Sequence, residues 1–144
     1  MKMLLPGLIA IVLAACAAVP EKKSVDSNAL YSRLGGAAGV EAVVDAALRR
    51  IHGDLRINIF FEKSDLADVR RLLIEQICAA TGGPCTYSGR SMEEAHSGMN
   101  LTDQDFDIFV EDLVAAMTEV KVSPELQQEL LALFGPMRPQ VVGQ

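Results

Sequence analysis

From Ala29 onward the apolar residues recur at three and four positions, and strict alternation is absent. An amphipathic helix presents one apolar stripe at that spacing, whereas a half-buried strand alternates, so the pattern predicts an all-α domain. Leu30 and Leu34 lead into Gly35-Gly36, which stops a short first helix. A second helix is predicted from about Ala37 to His52, with Val40, Val43, Val44, Ala47, Leu48 and Ile51 on one stripe. Arg49 and Arg50 face water, and Gly53 and Asp54 end the helix. The stretch RINIFFEKSD then reads as a compact apolar turn with Phe60 and Phe61 adjacent.

A third helix starts at about Asp65 and carries Leu66, Val69, Leu72, Leu73, Gln76, Ile77 and Ala80 on one broad face. TGGPC breaks it, because two glycines and a proline do not propagate a helix. Ser91 and Glu94 have the spacing of a capping box, in which each side chain satisfies a backbone N–H at the other's position. His96 therefore falls on a short capped helix. Thr102 and Asp105 make a second capping signal ahead of Phe106, Phe109, Val110, Leu113, Val114, Met117 and Val120. Ser123-Pro124 supplies a cap and a first-turn proline to the last helix, with Leu126, Leu130, Leu133, Phe134 and Met137 facing inward. The chain contains no internal repeat.

The N-terminus follows another pattern. One lysine precedes an apolar run from Leu4 to Ala15, too short to span a bilayer and ending in small residues, which reads as a secretory signal over residues 1–15. LAAC resembles the lipobox of bacterial lipoproteins, which implies cleavage before Cys16, lipid on that cysteine and a lipid-anchored protein of the bacterial cell envelope facing the periplasm. An ordinary signal peptide beside a bystander cysteine is the alternative. Residues 16–27 read as a lipidated tether, small and polar with one proline, and residues 28–144 as one domain. Without Lys2 the charge balance is 12 basic to 19 acidic residues, net −7, with no basic cluster, which argues against nucleic acid as a partner.

Few chemistries remain. Cys78 and Cys85 lie near no pair of histidines at metal-ligand spacing, there is no phosphate-binding or dinucleotide fingerprint, and DQDFDIFVED reads as the solvated face of a helix. No catalytic residues emerge. One histidine on a capped helix, adjacent phenylalanines and strongly apolar inward faces suit a haem, whose iron needs one neutral imidazole and whose ring needs a flat apolar slot. A histidine without any ligand role is the competing reading of the same residues.

The order of motifs adds a resemblance. LYSRLGG at 30–36, FF at 60–61, GGP at 82–84, YSGRSM at 87–92, AHSGM at 95–99 and LTDQDF at 101–106 together resemble the group I truncated haemoglobins, from Leu30 to about Val142. The resemblance implies a truncated globin-like two-over-two helical sandwich holding a b-type haem (heme b), with iron on His96. It implies that Phe61 stacks on the porphyrin, that Tyr87 lies near its edge, that Met92 sits one turn before the histidine, and that Ile77, Phe106 and Phe109 line the pocket. The distal positions are occupied by Leu48, Val69 and Leu73, all apolar, where the best-known members carry a tyrosine and a glutamine. Such a pocket offers a bound gas no hydrogen bond, although Gln76, three residues past Leu73, could swing inward. His52 is a weaker candidate for a sixth ligand. Arg70, Arg71 and Arg90 are candidates for the propionates by charge and location.

The resemblance also implies reversible binding of a diatomic gas: oxygen, nitric oxide or carbon monoxide. Nitric oxide or peroxide chemistry with an unidentified reductase as partner, or a haem-free interaction module of the same shape, are the alternatives. QICAATGGPCTYSGR looks like a branch of the family with both cysteines, so a Cys78–Cys85 disulfide is expected in an exported protein, with two free, buried thiols as the alternative.

Overall fold

The computed structural model describes residues 26–144; the signal and the first ten residues of the tether, Cys16 included, lie outside them. Gly35, at φ 98°, turns the chain between α1 (Leu30–Arg33) and α2 (Gly36–Gly53). The two helices are pressed together there: a Cβ on Gly39 would lie 1.8 Å from the Leu34 carbonyl oxygen, so only glycine fits. A 3-10 turn follows (Asn58–Phe61), then α3 (Leu66–Ala80), α4 (Met92–His96), α5 (Asp103–Glu119) and α6 (Pro124–Phe134). A second 3-10 turn (Gly135–Met137) leads into α7 (Arg138–Val141). All regular elements of the described residues are helical.

Side-chain caps start the helices where the polar residues suggested. Asp65 accepts from the backbone N–H groups of Ala67 and Asp68, Ser123 accepts from that of Leu126, and Ser91–Glu94 and Thr102–Asp105 both form complete capping boxes. The last helix is shorter than its apolar spacing predicts. It ends at Phe134 because Gly135-Pro136 breaks it, so Met137 sits in the 3-10 turn.

Helices α2 and α3 form one layer and α5 and α6 the other, the two-over-two sandwich expected. The stripe of α2 is the centre of the core: Val40, Val43 and Val44 are 1 % exposed and cluster with Leu113 and Met117 of α5 and Leu130 of α6, while Ile51, equally buried, clusters with Ile57 and Ile108. Ala46 and Ala116, outside the predicted stripes, are fully buried there as well. Helix α3 behaves differently. It packs on α2 and buries only Ile77 and Cys78, while Leu66 and Ala80, placed on its inward face by periodicity, are turned to solvent. Cys78 and Cys85 are joined, with Cα atoms 5.7 Å apart, which closes the loop leaving α3.

Candidate functional site

The part of the α3 stripe that no helix of the described residues covers forms one wall of a cleft of about 450 Å³. Val69, Leu72, Leu73 and Gln76 stand on this wall. Met92, Ala95 and His96 of α4 line the cleft as well, with Phe106 and Phe109 of α5 and Phe60 and Phe61 of the 3-10 turn. Phe109 meets Phe134 at 6.2 Å between ring centroids, tilted by 54°, a favourable aromatic geometry that braces the α5–α6 side. The volume falls within the range of roughly 300–1,000 Å³ typical of cofactor and ligand sites.

His96 is half-buried, and its Nδ1 lies 2.7 Å from the carbonyl oxygen of Met92, one turn earlier. A carbonyl only accepts, so Nδ1 carries the proton and donates it. Nε2 is then the nitrogen with the free lone pair, and the ring is held by a hydrogen bond to its own helix. Ser91 and Glu94 fix the start of that helix, which explains why five residues suffice to hold the histidine.

Eight of the ten residues singled out as cofactor contacts line this cleft: Phe61, Val69, Leu73, Tyr87, Met92, His96, Phe106 and Phe109. Two do not. Leu48 packs against the main core and lines a shallow groove outside, between α2 and α3, together with His52 and Arg70. The apolar stripe of α2 is consumed by the core, and Leu48 lies at its edge on the side away from the cleft. Ile77 is 3 % exposed within the core, one turn past Leu73, where α3 is already sealed by the disulfide. His52 is exposed on that outer groove and likewise lines no part of the cleft.

The rim of the cleft is polar. Tyr87 directs its hydroxyl to the Arg90 carbonyl, 2.9 Å away, and burial pushes its pKa up. Its ring braces the loop before α4, with Glu75 fastening the same loop by accepting from the Ser88 backbone N–H (2.9 Å) and hydroxyl (2.7 Å). Those bonds, with Arg71, hold the Glu75 carboxyl below the usual carboxylate range. Of the three arginines proposed for propionates, Arg70 is taken by Asp45 and Glu41 away from the cleft, and Arg71 by Asp68 and Glu75. Arg90 lines the rim, and among the described arginines it alone has no carboxylate partner. Lys63, exposed at the same rim, also forms no ion pair among the described residues. A single lysine in an irregular turn carries no periodic signal, so sequence reasoning passed over it.

Residues near the C-terminal end complete the wall on the histidine side. Met137 and Val141 line the cleft. The Gly143 backbone N–H donates to the Leu101 carbonyl at 2.9 Å, and that of Asn100 donates to the Gln144 carbonyl at 2.8 Å. Arg138 stacks over the Phe106 ring at 4.4 Å while pairing with Asp103 and Asp107 at the start of α5.

Comparison with known proteins agrees with this architecture. The chain is 36% identical to a group 1 truncated hemoglobin of Synechocystis over 75% of its length and 90% of that protein. With the group 1 truncated hemoglobin of Tetrahymena pyriformis it shares 30% identity over 79% of this chain and 94% of the other. Crystal structures superpose closely: the Fe(III) truncated hemoglobin of Tetrahymena pyriformis gives a TM-score of 0.78 at 29% identity, covering 81% of this chain and 99% of that one. The cyanomet 2/2 hemoglobin of Synechococcus, with covalently attached heme, gives 0.75 at 34% identity over the same shares. Residues 29–142 match the bacterial-like globin family, to which this chain belongs, with group 1 truncated hemoglobins as its relatives.

Proposed function

We propose that the cleft holds a b-type haem with His96 as its protein ligand, and that the protein reversibly binds a diatomic gas on the α3 side of the ring. The observation that carries this reading is the pairing of a histidine whose Nδ1 is committed to the Met92 carbonyl with an apolar helix face left uncovered by the described residues. The residues present suit the group. A neutral imidazole with its second nitrogen free is the donor iron takes, and hydrogen bonding at the other nitrogen orients it. Val69, Leu73, Phe61, Phe106 and Phe109 give a ring apolar contact, and Lys63 and Arg90 stand at the rim for the propionates. Haem, when bound, supplies the iron that takes the gas.

The chain's own contribution is orientation and exclusion of water. His96 is set by its helix rather than by a distant carboxylate, so it gains no added negative charge from a partner. The aromatic side chains keep the cleft apolar, and the tied loop from Ser88 to Ser91 sets where α4 begins. For the N-terminus we propose lipid attachment at Cys16 and an envelope location, supported by the LAAC sequence and the apolar run before it.

The test is reconstitution with hemin. His96→Ala is expected to abolish stable ferrous haem binding, read as loss of the Soret band on gel filtration, while His52→Ala leaves the spectrum unchanged. Conversion of a six-coordinate ferric spectrum to a five-coordinate one by His52→Ala would overturn the assignment of the gas side.

A further inference from the structure

On the α3 wall, Val69, Leu72 and Leu73 are apolar, and Asp68, at the rim, is held by Arg71 at 2.6 Å. Gln76 is the neutral donor of this wall. Its Nε2 meets two sulfurs, Met92 Sδ at 3.3 Å and Met137 Sδ at 3.5 Å. Thioethers are weak acceptors, so a half-buried amide that aims its N–H groups into the cleft has no oxygen among the described residues to receive them.

Val69, Leu73 and Gln76 stand at i, i+4 and i+7 and share one helix face. Helical side chains lean back toward the N-terminus, which carries the Gln76 amide over the turn of Leu72 and Leu73 rather than away from it. Gln76 meanwhile reaches Met92, which is on the helix of His96, across the space a ring would enter. A flat ring between two facing atoms needs roughly 7 Å, two contact distances of about 3.5 Å. The Gln76–Met92 separation is less than half of that.

We propose that Gln76 is the residue that sets gas selectivity: haem insertion on His96 parts the Gln76–Met92 contact and leaves the amide as the side-chain donor to a gas bound on the α3 side. This rests on the haem reading above. It replaces the wholly apolar gas pocket expected from Leu48, Val69 and Leu73 with an apolar pocket holding one donor, contributed a turn further along α3. Dioxygen on ferrous iron carries more negative charge than carbon monoxide, and hydrogen bonds to charged acceptors are roughly twice as strong as neutral ones. The donor therefore discriminates between the two gases.

The experiment compares hemin-reconstituted wild type with Gln76→Leu, and with Gln76→Met, which keeps length and flexibility without the N–H, in case the first variant folds poorly. Dissociation of oxygen and carbon monoxide is followed by stopped flow, and the C–O stretch of the carbon monoxide complex by infrared spectroscopy. Faster oxygen release in both variants, by about tenfold (the factor that 1.4 kcal/mol represents), with a much smaller change for carbon monoxide and a higher C–O frequency, supports the proposal. Unchanged oxygen release, or equal acceleration of both gases, overturns it while leaving the haem reading intact. Wild-type protein that takes up no hemin overturns both.

Discussion

Asp112 is nine-tenths buried on α5 with one carboxylate oxygen lacking a partner among the described residues, and burial, then the neighbouring Asp54, pushes its pKa up. A folded-state pKa above the unfolded one means that the fold favours the protonated acid. Stability therefore falls as pH rises from the ordinary aspartate value of 3.8 through the raised one, and at neutral pH the ionised group is a liability. Asp112→Asn should raise the melting temperature at pH 7 and flatten the stability profile within that window; a lower melting temperature would show that the carboxylate is paired in solution. The carboxylate run was read as solvated because charge alone cannot reveal which acidic residue of a helix meets a neighbouring element. His96 was legible because its helix carries a local signal, the Ser91–Glu94 box, within a distinctive order of motifs. The outward position of Leu48 was not, and Gln76 was legible only as a side chain that could swing inward. Periodicity tells which residues share a face, and leaves open whether that face looks at a helix or into a space.

At the scale of elements, the same limit explains α3. Its stripe had the spacing of a core helix, yet Val69, Leu72 and Leu73 bound a cleft, and only the packing of the other helices makes the gap. The caps were legible because each involves residues three positions apart, and the break at Gly135-Pro136 was missed because Met137 prolongs the apolar spacing past it. The loop from α3 to α4 is held at both ends, by the Cys78–Cys85 bond and by Ser88 on Glu75. With a sequence separation of 7, the loop-closure model assigns the disulfide about 2.5 kcal/mol, acting on the unfolded chain. Reduction, or paired Cys78→Ala and Cys85→Ala substitution, should lower the denaturant midpoint accordingly without changing the helical content. A midpoint indifferent to reductant, with two alkylatable thiols in the unreduced protein, would mean that the bond does not form in solution.

For the whole molecule, the all-helical sandwich was legible because every long helix has an uninterrupted stripe, and the family order of motifs joined them correctly. Attachment to a membrane is argued from residues 1–16 alone, and one acyl chain binds a bilayer only marginally, so a stable anchor on Cys16 requires more than one. Cys16→Ser should shift the protein from the membrane fraction to the soluble one and remove the lipid mass from the N-terminal peptide. Recovery of wild-type protein in the soluble fraction, without added mass, would refute the anchor. The C-terminal hydrogen bonds carry a consequence for biosynthesis. Leu101 and Asn100, which follow the histidine helix, are fastened by Gly143 and Gln144, and Val141 lines the cleft. At roughly 5–20 residues per second, a ribosome that has finished His96 works for several more seconds before it makes these partners. A nascent chain therefore carries its histidine long before it has the wall that positions it, and capture of a cofactor in the finished geometry waits until residues 141–144 have been made.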